Sequence, residues 1–197
     1  MKTSIKTIFA TGLIALAISS STVSANEKVG TTTISSNAVN VSSIQRVIIS
    51  GDVEVTIAQN AKSKVLFTND GDVEVSVKKV GNSLYVNSKG ATKGGKITVY
   101  VADIYRLVAS GNAVVQTKDA LTLKYLQVYL NDHAKLELNS KTEGLYTSIK
   151  SDAQLTLKGM TDAYNIEMDK TARITLDRFV SKKTDMSATD VYVAARR

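Results

Sequence analysis

The sequence predicts an all-β protein built as a stacked repeat, and three observations carry that prediction. Apolar and polar residues alternate with period two through most of the chain after residue 44. No segment there holds an apolar stripe at the 3.6-residue helical period. A strand–turn–strand unit recurs about every twenty residues, with its apolar positions in register from one unit to the next. Alternation with one polar face marks half-buried strands. A repeat of such strands at this length is what a β-solenoid requires.

In chain order, residues 1–25 come first, as MKTSIKTIFATGLIALAISSSTVSA. Lys2 and Lys6 form a positive start, Ile8 to Ile18 a short apolar stretch, and Val23-Ser24-Ala25 an A-x-A-like cleavage site. This order reads as a secretory signal peptide, and the apolar run is too short for a membrane span. Cleavage after Ala25 leaves residues 26–197, enough for one domain with its own core. The absence of cysteine excludes a disulfide framework, thiolate chemistry and lipid attachment at the cleavage site. Without Lys2 and Lys6, 23 basic residues face 18 acidic ones, a net charge of about +5. Such an excess favours anionic surfaces, acidic glycans or lipid headgroups, and equally suits a soluble basic domain. Residues 26–43 are rich in Ser and Thr and read as a leader or a weak first strand. The folded domain is expected over residues 44–197.

Two near-copies open that domain, GDVEVTI at 51–57 and GDVEVSV at 71–77. Val53, Val55 and Ile57 alternate with Glu54 and Thr56; Val73, Val75 and Val77 alternate with Glu74 and Ser76. Their separation matches the coil length. Stacking them directly, however, would set Asp52 over Asp72 and Glu54 over Glu74, an unfavourable like-charge ladder. Next, VSVKKVGNSLYVNS at 75–88 places Gly81-Asn82 between two alternating runs, a hairpin signal. An antiparallel element is therefore expected to cap the N-terminal end, where a solenoid otherwise exposes strand edges.

The C-terminal half carries the clearer repeat. LVASGNAVVQT, VYLNDHAKLEL, TSIKSDAQLTL, IEMDKTARITL and TDMSATDVYV each contain a strand, a polar turn and a second strand. The turn alanines Ala113, Ala134, Ala153 and Ala172 recur at nearly constant spacing. Leu126, Val128 and Leu130 align with Leu145, Thr147 and Ile149, then with Tyr164, Ile166 and Met168. After the turn, Leu136 and Leu138 align with Leu155 and Leu157, Ile174 and Leu176, Val191 and Val193. Lys135, Gln154 and Arg173 fall on the other face and are expected in water. Stacking such coils pairs every strand with its neighbours at about 4.8 Å and builds one narrow core. A β-sandwich of hairpins also alternates, but it does not explain columns held in so constant a register. The predicted coil length is about 19–21 residues.

The succession VIISGDVEVTIAQNAKSKVLFTN, VEVSVKKVGNSLYVNS and KITVYVADIYRLVASGNAVVQT resembles the head GIN domain family of putative auto-transporter adhesins. The matching pieces are Val53–Ile57, Gly81–Val86, Ile97–Val101 and Leu107–Val115, with the later units following, over about residues 44–195. The resemblance implies a right-handed parallel β-helix-like fold and export to the envelope or surface. It brings no catalytic or ligand residues. One departure is that only the first C-terminal unit keeps a Ser-Gly turn, Ser110-Gly111; later turns read NDHA, KSDA, DKTA and SATD.

Chemistry is sparse. His133 is the one histidine and falls in a turn, where a solvated role is the ordinary one. No H-E-x-x-H, G-x-S-x-G or Gly-rich phosphate loop is present. Asp52, Asp72, Asp132, Asp152, Asp169 and Asp190 lie in or next to turns. Stacked turns can converge oxygen ligands on calcium, and two close carboxylates can hydrolyse glycans. Aspartate also satisfies turn backbone by itself, and the spacing lacks strict nonapeptide regularity. Neither a metal, a cofactor nor an enzymatic role is therefore assigned. Of eight tyrosines, Tyr129 and Tyr146 occupy outward positions on neighbouring coils, beside Gln127 and Ser148. Aromatic rings flanked by polar groups stack on sugars or anchor a partner, so these four form the candidate partner-binding face. The expected protein is an exported, non-catalytic binding or adhesion module of the periplasm or cell surface. Its expected partner is a surface glycan or an envelope or host protein, with no nucleic acid and no membrane span after cleavage. Two alternatives are a small carboxylate-dependent glycan-active enzyme and a structural protein that self-associates through its ends.

Overall fold

The computed structural model describes residues 39–41, 43–68, 75–88 and 95–188. The expected signal peptide, most of the leader, Asp72, Val73, Glu74, Asp190, Val191 and Val193 lie outside those residues. Among the described residues there are thirteen strands and no helix. In order these are β1 (Val39–Asn40), β2 (Arg46–Ser50), β3 (Val53–Gln59), β4 (Lys64–Thr68), β5 (Val75–Val80), β6 (Ser83–Ser88) and β7 (Gly95–Val101). Then come β8 (Arg106–Ala109), β9 (Val114–Thr117), β10 (Leu121–Leu130), β11 (Lys135–Ile149), β12 (Gln154–Met168) and β13 (Arg173–Ala188). All belong to one curled sheet.

The four C-terminal strands are parallel and lie in the register that the columns predict. Leu126 pairs with Leu145 and Val128 with Thr147, and these in turn with Tyr164 and Ile166. Leu136 pairs with Leu155 and Leu155 with Ile174. Partners keep one constant offset from β10 through β12. The offset lengthens by one within β13, after a register shift between Leu157 and Gly159. Earlier repeats are slightly longer, with Arg106 opposite Gln127 and Val115 opposite Leu136.

Because each β residue stands beside its counterpart in the next coil, the inward positions merge into one apolar column after another. Ile49, Ala109, Leu130 and Ile149 are buried in one column, and Val55, Val115, Leu136 and Leu155 in another. Two polar groups enter this core together: the Thr147 and Tyr164 hydroxyls lie 3.0 Å apart, so each satisfies the other. The turn alanines Ala113, Ala134 and Ala153 are fully buried, their methyl groups filling the corners. Just ahead of the strands that leave these corners, Gly51, Gly111, Asp132 and Ser151 each sit at φ between 58° and 87°. One left-handed turn position thus recurs through four repeats. Asp132 accepts a hydrogen bond from the Gly111 backbone N–H at 2.8 Å, tying one turn to the one before it.

The N-terminal half departs from simple succession. β2 and β3 do not stack on the next coil-length of chain. They lie between β6 and β7 on one side and β8 and β9 on the other, all parallel. The two heptapeptides therefore do not stack, which corrects the reading of their spacing as a coil length. Val53–Gln59 lies against Gly95–Val101 and Val114–Thr117, while Val75 and Val77 of the second copy belong to β5. The register places Glu54 beside Lys96, with a 3.1 Å ion pair, where stacked copies would set Glu54 beside Glu74. The expected hairpin is present. β5 and β6 are antiparallel and turn through Gly81-Asn82. β4 likewise runs antiparallel to β7, and β1 antiparallel to β4. The antiparallel strands lie at the two ends of the strand order, β1 and β4 at one and β5 beside β6 at the other.

Candidate binding face

One outward wall combines aromatic and charged chemistry. It is formed by β6, β2 and β8 with the second half of β10 and the ends of β11 and β12. Outward residues fall into two adjacent columns. One runs Tyr85, Ile48, Val108, Tyr129, Ser148, Glu167; the other runs Arg46, Arg106, Gln127, Tyr146, Asn165. The alternation that buries Val47, Leu107, Val128 and Thr147 is what turns these side chains outward.

All four residues expected at the face are on this wall. Tyr129 stands beside Ser148, and Gln127 beside Tyr146. The Tyr129 and Tyr146 rings are 5.6 Å apart, tilted by 54°. Ser148 points outward yet is buried, at 4% exposure, so the rings and not its hydroxyl form the surface there. Tyr146 donates a 2.7 Å hydrogen bond from its hydroxyl to Glu167. Desolvation, and then this carboxylate, push its phenol up to about 12.

Sequence reasoning missed the arginines. Arg106 donates from Nε and Nη2 to Gln127 Oε1, at 2.9 and 2.7 Å. Its guanidinium lies 5.3 Å from the Tyr129 ring centroid and 5.9 Å from that of Tyr105. Arg46 is its direct register partner. The step that relates Ala113 to Ala134 also relates Arg106 to Gln127, and this was the signal available.

Elsewhere the surface is less organised. A shallow groove of about 430 Å³ is lined by Thr122, Lys124, Lys141, Glu143, Met160 and Asp162, and Asp162 is already paired with Lys182 at 2.7 Å. His133 is exposed and 3.7 Å from Asp152. Two turn carboxylates, Asp132 and Asp169, serve the backbone. Burial raises the Asp169 carboxyl, but hydrogen bonds from the Ser151, Ala172 and Thr171 N–H groups and the Thr171 hydroxyl outweigh this. They hold it below its ordinary 3.8. Among the described residues no three His, Cys, Asp or Glu side chains converge as a metal site, and no helix is long and apolar enough to cross a membrane.

The structure is a single curled all-β sheet with a packed interior, and polar and aromatic groups line its outward walls. Residues 43–195 match the family described as "Putative auto-transporter adhesin, head GIN domain", and the chain belongs to that family. An adhesin family implies an exported or cell-surface protein. Several solved structures share the fold. A putative adhesin from Parabacteroides merdae ATCC 43184 superposes with a TM-score of 0.59 at 15% identity, over 78% of this chain and 77% of that one. A putative adhesin from Parabacteroides distasonis ATCC 8503 gives 0.58 at 15%, over 78% and 77%. A putative lipid binding protein from the same organism gives 0.59 at 10%, over 78% of both chains. These descriptions are of adhesins and a binding protein, not of enzymes. No curated protein matches the sequence.

Proposed function

We propose that the chain is an exported, non-catalytic binding or adhesion module of the cell envelope, secreted by cleavage after Ala25. Its coils would wind as a right-handed parallel β-solenoid capped by the β5–β6 hairpin. The contact surface is the wall that carries Tyr129, Tyr146, Gln127 and Ser148, and the partner is a surface glycan or a protein of the envelope or host. The observation that carries this reading is the Tyr129–Tyr146 pair, two outward rings 5.6 Å apart on adjacent rungs of a hydrogen-bonded ladder. Rings fixed on strands lose little freedom on contact, which is what favours aromatic anchors at binding surfaces.

The test is binding of the purified protein to oligosaccharide arrays and to envelope fractions, compared with Tyr129→Ala/Tyr146→Ala. Binding that falls about tenfold or more in the double variant, with an unchanged urea midpoint, supports the face. Failure of the native protein to bind any of these surfaces, or equal binding by the double variant, overturns it.

A further inference from the structure

We propose that Arg46 and Arg106 form the anion subsite of this face. They would receive the carboxylate or sulfate of an acidic glycan whose sugar ring lies across Tyr129. The inference rests on the binding-face reading and names the ligand class for it. Its starting point is an uncompensated charge. Arg46 and Arg106 face one another across the β2–β8 ladder, where neighbouring strands are about 4.8 Å apart. Like charges so placed repel. Yet among the described residues neither has a carboxylate within ion-pair distance. The Arg46 Nε is buried with no hydrogen-bond partner. Arg106 has one neutral acceptor, Gln127 Oε1, for two of its five donors.

A bound oxyanion would offset the paired charge and take up the guanidinium donors that face solvent. A guanidinium presents a planar fork that matches a carboxylate or sulfate two bonds at a time. Two of them side by side fit one anion better than either does alone. The surroundings select a sugar. Beside the arginines runs a flat strip of Ile48, Val108 and Tyr129, suited to the apolar face of a ring. The wall is also polar along its length, with arginines at one end and Glu167 at the other. The Glu167 carboxylate accepts from Tyr146 and has further lone pairs for sugar hydroxyls. An extended acidic oligosaccharide fits a strand face.

Calorimetric titration tests this with tetragalacturonate, the neutral galactotetraose, and phosphatidylglycerol vesicles as probes. The proteins are the native chain, Arg46→Gln, Arg106→Gln, and Lys124→Gln/Lys141→Gln as a charge-loss control on another wall. The native protein should bind tetragalacturonate and not its neutral counterpart. Either arginine substitution should weaken that binding by about tenfold, the lysine control less than twofold, with urea midpoints preserved. Equal affinity for the neutral tetrasaccharide, binding indifferent to both arginines, or binding to the vesicles alone would overturn the proposal. Binding that is lost in Tyr129→Ala but untouched by the arginine substitutions refutes the anion subsite while sustaining the binding face. Absence of binding to every surface and probe refutes both.

Discussion

Replacement of Gly159 by alanine tests the stacked geometry at its tightest point. Gly159 has φ 99°, outside the region that residues with a Cβ ordinarily adopt, and it sits where the β12–β13 register shifts by one residue. A methyl group built there lies far inside van der Waals contact of the Ser140 carbonyl oxygen and 3.0 Å from its carbon. Ser140 is the register partner of Gly159 on β11, so the obstacle is ladder backbone and not a side chain that can swing away. Torsional strain costs about 1–3 kcal/mol. Withdrawing the Ser140 strand weakens one or two ladder hydrogen bonds, at about 0.5–1.5 kcal/mol each. Together these give about 1.5–6 kcal/mol, near 4 at mid-range, a large share of the roughly 5–15 kcal/mol that holds a domain folded. Two other glycines are internal controls. At Gly81, φ is 55° and an added Cβ meets nothing within 4 Å, so Gly81→Ala should cost only about 1 kcal/mol of backbone strain. At Gly144 the added Cβ would lie 2.9 Å from Tyr125 Cδ1. That ring is 58% exposed and free to move, so Gly144→Ala should change stability by about 0.5 kcal/mol or less. With a urea slope of about 2 kcal/mol/M, the midpoint should fall by about 2 M for Gly159→Ala and about 0.5 M for Gly81→Ala. A drop for Gly159→Ala no larger than that for Gly81→Ala would refute the close approach of β11 and β12 at this corner.

The same geometry fixes three further outcomes. The Asp169 carboxyl is held below 3.8, so its contribution is complete above about pH 4 and is lost as pH falls through the lowered value. The urea midpoints of the native protein and Asp169→Asn should therefore differ at neutral pH and converge on acidification; a constant gap would contradict the linkage. Spectrophotometric titration should find one phenol of the outward wall, Tyr146, ionising near 12. Glu167→Gln should bring it down only in part, since burial is the larger cause; a full return to the ordinary 10.0 would show the carboxylate acting alone. Thr147→Val and Tyr164→Phe should each cost about 1–3 kcal/mol by stranding the other hydroxyl. The double variant should cost less than their sum, and strict additivity would mean that the 3.0 Å contact is not a hydrogen bond.

Register was legible where space follows sequence. From β10 to β13 each strand pairs with the next one in the chain, so the alignment of Leu136 with Leu155 and of Leu126 with Leu145 is also their physical pairing. Even the polar intruder Thr147 could be placed in its column. In the N-terminal half the order in space differs from the order in sequence. β3 touches β7 and β9, far along the chain from it, and no periodicity reports such a neighbour. The face was half legible for the same reason. Tyr129 and Tyr146 are one coil apart and their alternation declared them outward. Arg46 meets Arg106 only through the interleaving of β2 against β8, a contact that skips every strand from β3 to β7.

That interleaving gives the arginine pair its significance. At three places on the outer walls opposite signs meet: Glu54 with Lys96, Asp162 with Lys182, and Lys158 between Glu137 and Asp177. Parallel stacking favours such pairs, since outward residues have neighbours above and below at about 4.8 Å. A chain that neutralises its ladder in three places can do so in a fourth by exchanging one residue. Arg46→Glu would supply the missing partner to Arg106 without disturbing Val47 or Leu107 beneath. If the repulsion were a mere imperfection of packing, that exchange would be a gain with no loss. On the reading advanced above it is both: Arg46→Glu should hold or raise the urea midpoint while abolishing affinity for tetragalacturonate. Stability and binding should thus move in opposite directions at this one position, which is the mark of a site maintained for a ligand and not for the fold.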